Sequence, residues 1–162
     1  MNQKPEHAGL VTATVVVALI LSILPLPGGL HAYAPYWMAL VFIYWGLESR
    51  SLGHLGQAFV CGLLLDIFTG ALLGQHALSL LIISYLLGRF RHRIRFFPPW
   101  QQSLAVLALL LNDRIIQLWI IALAGRGLPD WSFWIQPVVA FVLWPWIFLL
   151  LDALRLRARR TA

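Results

Sequence analysis

CGLLLDIFTGALLGQH, residues Cys61 to His76, places one carboxylate, Asp66, in an apolar run with no cation near it along the chain. An aspartate at the centre of a membrane helix costs about 2.5–3.5 kcal/mol on insertion scales, while each Leu, Ile, Phe or Val returns about 0.3–0.6 kcal/mol. The ten such residues between Leu55 and Leu73 offset that cost, so the segment reads as a membrane helix. Asp66 must then face protein, water or a polar cavity. Ala58, Gly62, Asp66, Gly70 and Gly74 recur at every fourth position, which on a helix makes one slowly winding ridge of small side chains around the carboxylate. Such ridges let backbones approach closely where lipid is as apolar as leucine. The ridge is expected to meet another helix, from a partner or from its own bundle.

The remaining composition points the same way. Of the 162 residues, 60% are hydrophobic and 11% charged, with a mean hydropathy of +0.80; soluble domains carry about 25% charged residues. The lone cysteine, Cys61, excludes an intrachain disulfide and a cysteine-based zinc or iron–sulfur site. His7, His31, His54, His76 and His92 are scattered, with none at HExxH spacing. Lys4 is the only lysine, which excludes a Walker-type phosphate loop and a Schiff-base lysine within the bundle, and GxSxG is missing. ATP-driven work and covalent catalysis by these routes are removed, and no metal or cofactor is expected.

A hydrocarbon core about 30 Å thick needs roughly 20 helical residues. Six segments are expected to cross it: 10–24, 33–47, 55–73, 76–90, 101–124 and 133–154. Pro25-Leu26-Pro27-Gly28-Gly29 stops the first, Glu48-Ser49-Arg50 ends the second, and Gly74-Gln75 joins the third to the fourth. The fourth is short enough to leave a re-entrant pair as an alternative. Pro137 and Pro145 are expected to bend the sixth. Lys4 before an apolar run and Ala32-Tyr33-Ala34 resemble a secretory signal, but five later spans and Pro35 after the triplet favour an uncleaved anchor. The expected fold is a single all-α domain, a polytopic six-transmembrane-helix bundle.

Basic residues orient it. With both termini cytoplasmic, Lys4, Arg50, Arg89, Arg91, Arg93, Arg95, Arg155, Arg157, Arg159 and Arg160 fall inside, and only Arg126 outside. That bias requires an even number of spans. Trp100 and Tyr44-Trp45 are then expected at the inner interface, and Trp37, Trp119, Trp131 and Trp134 at the outer one. RFRHRIRFFPPW, Arg89 to Trp100, interleaves arginines with aromatics in a way that nucleic-acid binders do. A loop between spans explains it better, since orientation alone demands those charges. Both arginine clusters are expected to attract anionic lipid headgroups, or an acidic cytoplasmic protein, and not nucleic acid.

The fifth segment reads LLLNDRIIQLW, with Asn112, Asp113, Arg114 and Gln117 at its middle. Adjacent side chains point about 100° apart, so Asp113 and Arg114 cannot meet face to face, whereas Gln117 can bond to Asp113 along the helix. An interhelical pair between Arg114 and Asp66, or a small network including Asp113, is expected. It locks the bundle, or it forms a binding or relay site. In Leu143-Trp144-Pro145-Trp146 two indoles flank a proline that frees the Phe141 carbonyl, and packing is the simpler reading.

GQAFVCGLLLDIFTGALLGQHAL, Gly56 to Leu78, resembles the signature of the rod shape-determining MreD family. So do Trp100-Gln101-Gln102 at the start of the fifth span, the run from Leu143 to Leu150, Pro25-Leu26-Pro27 and Pro35-Tyr36-Trp37. The resemblance implies a multi-pass protein of the bacterial cytoplasmic (inner) membrane in the wall-elongation machinery. It implies binding to MreC and, through it or directly, to MreB and the RodA-type polymerase with its transpeptidase. The implied role is a non-enzymatic scaffold for lateral peptidoglycan synthesis and rod shape. The six-span family fold also looks like the substrate-binding component of energy-coupling-factor transporters. That likeness underlies the alternative, a small-molecule binding or transport component with a midplane polar site around Asp66, Asp113 and Arg114. An acid–base enzyme using Asp66 and Asp113 lacks an oriented nucleophile or metal set.

Overall fold

The computed structural model describes residues 8–24, 33–48, 55–125, 127 and 129–161. Lys4, the Pro25–Gly29 turn, Arg50, Arg126 and the side chains of Arg159 and Arg160 lie outside the described residues. The described chain is helical throughout its regular elements: α1 Ala8–Ile23, α2 Trp37–Glu48, α3 Leu55–Thr69, α4 Gln75–Ile94, α5 Pro99–Leu123 and α6 Ile135–Thr161. A 3-10 turn, Trp131–Trp134, leads into α6.

The centre of the bundle is α2. WMALVFIYWGLE is apolar all round, which suits a helix surrounded by others, and nine of its twelve residues are buried. It packs against α1, α4, α5 and α6, while α3 packs on α4 and α5 on both α4 and α6. Tyr44 and Trp45, expected at a membrane interface, are fully buried instead. Trp45 Nε1 donates to Thr14 Oγ1 at 2.8 Å, and Tyr44 Oη donates to Asp152 Oδ1 at 3.4 Å. Each indole or phenol thus satisfies its polar tip inside the bundle. Trp100, Trp119 and Trp131 are exposed, as an interfacial position requires.

Several boundaries move for local reasons. α2 begins at Trp37, not at 33, because Pro35 holds Ala34 out of the helical region. The third helix ends at Thr69, not at 73: Gly70 adopts φ +66°, and the Ala71 N–H reaches back to the Asp66 carbonyl at 3.1 Å. That is a Schellman end, which a glycine past the last turn favours. The fourth helix runs to Ile94, so Arg89, Arg91 and Arg93 sit on its last two turns and not in a loop. Nothing breaks it before Pro98-Pro99, and cations near a helix C-terminus are favourable. Pro99 then opens α5 at its first position, where its missing N–H costs nothing. α6 continues to Thr161 and carries Arg155 and Arg157 on helix. Pro145 lies inside α6, whereas Pro137 falls in the first turn, where proline is tolerated.

The C-terminal ends of α2, α4 and α6 meet at one end of the bundle. Glu48 pairs with Arg155 and lies 3.6 Å from Arg95 Nε, Arg91 Nε donates to the Leu47 carbonyl at 3.0 Å, and Arg155 Nη2 lies 3.0 Å from Asp152. Those three helices therefore run in the same direction, with arginines gathered where they end. α5 and the continuous Trp131–Ala158 segment are each long and apolar enough to cross a membrane. α1, α2 and α3 are apolar but shorter, and the twelve residues of α2 extend only about 18 Å at ~1.5 Å per residue.

The expected ridge is divided. Ala58, Gly62 and Asp66 lie on α3 and are buried, whereas Gly70 and Gly74 belong to the turn that follows. The ridge meets this chain's own α4: a Cβ on Gly62 would stand 2.6 Å from the Ala77 nitrogen and 2.7 Å from the His76 oxygen. Gly62→Ala should therefore force α3 from α4 and lower stability by about 1–3 kcal/mol, the usual cost of overpacking. Gly56→Ala on the same helix meets nothing within 4 Å and should leave the unfolding midpoint in detergent unchanged or slightly raised.

Candidate polar site at the α3–α4 turn

Asp66 is one turn from the end of α3, not at its centre, and only 1% exposed. Its Oδ2 accepts from the Gly74 N–H at 2.8 Å and the Ala77 N–H at 3.4 Å. Its Oδ1 accepts from the His76 N–H at 2.8 Å and lies 2.8 Å from His76 Nδ1. Gly74, Gln75, His76 and Ala77 form the N-cap and first turn of α4, whose N–H groups have no partner inside the helix. Ordinarily the residue at the N-cap supplies the capping oxygen. Here that residue is Gly74, which has no side chain and takes φ +96°, a conformation suited to glycine. Asp66 caps α4 from the preceding helix, and its charge sits at the positive end of the helix dipole.

The rest of the cluster comes from α5 and the chain ahead of α2. Gln117 Nε2 donates to both Asp113 oxygens at 3.2 and 3.0 Å, the bond along the helix that the spacing predicts. Gln117 Oε1 accepts from Arg114 Nη1 at 3.3 Å and from Gln75 Nε2 at 3.4 Å, which joins α5 to the start of α4. Arg114 Nε stays 4.0 Å from Asp113, and its guanidinium lies 4.5 Å from the centre of the Phe133 ring. That cation–π contact accounts for part of a buried charge. Tyr36, also buried, sets its ring edge-to-face against His76 at 5.6 Å.

The direct Asp66–Arg114 pair expected from the sequence does not form: Asp66 is taken by the backbone of α4 and by His76. Asp113, Arg114, Gln117 and Gln75 form a separate hydrogen-bonded group that, among the described residues, does not include Asp66. Asn112 stays outside it, its side-chain oxygen buried without a hydrogen-bond partner among the described residues. Gln75, His76, Tyr36 and Phe133 were not singled out by sequence. Only the offset of Asp66 from a Gly-bounded turn, eight residues before Gly74, hints at the cap. In the LWPW run Trp144 is 1% exposed, its Nε1 without a partner among the described residues, while Trp146 is 72% exposed, so the two indoles have different surroundings. Gln102 is buried and donates to the Arg95 carbonyl at 3.4 Å. Beside the cluster lies a cavity of about 210 Å³ whose wall includes Tyr36, His76, Arg114, Gln117 and Gln136.

Residues 7–154 match the model of the family described as rod shape-determining protein MreD. The chain belongs to the MreD family. A curated relative, rod shape-determining protein MreD of Haemophilus influenzae (strain ATCC 51907 / DSM 11121 / KW20 / Rd), is 29% identical over 144 residues, covering 89% of each chain. No solved structure matches. Membership supports a role in determining rod shape, and an all-helical bundle with two long apolar helices fits a membrane protein.

Removing the capping carboxylate takes the acceptor from three N–H groups at the start of α4, one of them buried and two half-buried. Asp66→Ala should lower stability by about 2–4 kcal/mol and Asp66→Asn by roughly half as much, given ~1–3 kcal/mol per unsatisfied buried donor and partial relaxation. Faster hydrogen exchange at Gly74, His76 and Ala77, alongside a lower unfolding midpoint in detergent, is the expected signature. Unchanged exchange there would show that the cap is dispensable.

Proposed function

We propose that the chain is a six-span subunit of the bacterial cytoplasmic membrane that organises lateral peptidoglycan synthesis, and hence rod shape, without a catalytic step of its own. It acts by binding the single-span protein MreC and, through it or directly, MreB and the RodA-type polymerase with its transpeptidase. The observation that carries this reading is the family match over residues 7–154.

The bundle supports it. The shared end of α2, α4 and α6 gathers Arg91, Arg95 and Arg155 on one side, as the positive-inside rule asks of a protein with both termini cytoplasmic. Exposed Arg89, Arg93 and Arg157 extend that face toward anionic headgroups. The acidic groups that an enzyme would use are engaged in holding helices: Asp66 caps α4 and Asp113 binds Gln117. The small-molecule transport alternative is not favoured, since the family is one of shape determination.

Deleting the gene should turn rods into rounded cells, and the intact chain, tagged, should restore rods and retain MreC through detergent purification. Asp66→Ala should fail in both. A reporter fused after Ala162 should signal a cytoplasmic location. Rod-shaped deletion cells, together with no MreC in the purified material, would overturn the proposal.

A further inference from the structure

The polar cavity beside Arg114 does not end at the cluster. Leu21 and Trp37 belong to its wall and also to the wall of a second space, an apolar groove of about 300 Å³ along α1, α2 and α6. The groove extends toward Leu10 on α1 and Leu154 on α6. Its one polar side chain, Thr14, is already bonded, to the Leu10 carbonyl at 3.0 Å and to Trp45 at 2.8 Å. The apolar groove and the polar chamber thus adjoin, with Leu21 and Trp37 in the walls of both.

The chamber presents donors that the protein does not use. Tyr36 is 8% exposed, and its hydroxyl is buried with no hydrogen-bond partner among the described residues. A native fold rarely leaves such a group alone without a reason. Arg114 is 7% exposed and commits one N–H to Gln117, so most of its five donors remain for another acceptor. Neither carboxylate lines the chamber itself: Asp66 is occupied by α4, and Asp113, bonded to Gln117, lies with Tyr36 and Arg114 around a small adjoining space. A guanidinium and a phenol whose residues both line one chamber fit an oxyanion, and phosphate in particular. An occupant of both spaces needs an apolar tail and an anionic head.

We propose that this chain holds one phosphate-bearing membrane lipid, with an acyl chain in the α1–α2–α6 groove and its phosphate against Arg114 and Tyr36. The inference requires only that the chain sit in a bilayer; it does not depend on which proteins it binds.

The test uses the full chain extracted from membranes, native mass spectrometry of the washed protein, and two variants. Tyr36→Phe removes a hydroxyl with no hydrogen-bond partner among the described residues, and Ala13→Trp fills the groove from an exposed position. Both should keep the wild-type unfolding midpoint. Wild-type protein should retain one phospholipid, and each variant should lower its retention about tenfold, which for Tyr36→Phe is the factor expected for one lost hydrogen bond to an anion. Wild-type protein free of lipid, or equal retention in all three, would overturn the assignment. So would inorganic phosphate binding that Ala13→Trp leaves untouched, since that describes an oxyanion site without a tail. A photoreactive residue at position 13 that captures a polypeptide in place of a phospholipid would also overturn it.

Discussion

The bundle depends on one carboxylate placed at the start of a helix that it does not belong to. Helix α4 begins at a glycine with positive φ, so its N-cap has no side-chain oxygen to offer; the Leu72 carbonyl takes the Gln75 N–H, and the Gly74, His76 and Ala77 N–H groups are left for another acceptor. In a hydrocarbon setting an unpaired backbone donor costs several kcal/mol. Asp66 satisfies three of them and binds the His76 ring as well. The same residue's carbonyl accepts the bond that closes the end of α3. One position therefore terminates a helix, starts the next and fixes the angle between them. The close approach at Gly62 completes the joint, because no side chain there holds α3 away from Ala77.

The two ends of the bundle are built from different chemistry. Where α2, α4 and α6 end, Glu48 and Asp152 collect Arg95 and Arg155, and Arg95 stays exposed together with Arg89, Arg93 and Arg157 nearby. At the end where α3 gives way to α4, the charges are buried and linked through Gln117, Gln75 and the aromatic rings of Tyr36 and Phe133. The first arrangement suits contact with water and headgroups. The second suits an interior where each charge needs a fixed partner. Between them α2 fills the core with side chains and leaves little room for polar groups.

The inward course of the ridge takes it out of reach of a helix from another protein. Small residues on a membrane helix invite a second helix, and in this fold α4 already occupies that place. The faces left over are large and apolar, with Phe59, Val60 and Ile67 exposed on α3 and Val142, Trp146 and Leu149 on α6. A bilayer accounts for such faces without further help.

The sequence by itself determined the helical class, the six helices and the bond from Gln117 to Asp113, because each rests on hydrophobic patterning or on spacing within one helix. It also marked Asp66 as a residue that could not face lipid, from the cost of its charge alone. Tertiary structure decided the partner. Which groups lie near Asp66 depends on Gly70 and Gly74 turning the chain by set angles, so that backbone donors eight to eleven residues away arrive together. It likewise decided that Tyr44 and Trp45 are core and not interface, since an aromatic pair suits either place until neighbouring helices surround it. Patterning reports which faces avoid water; only the packed chain sets which atoms meet.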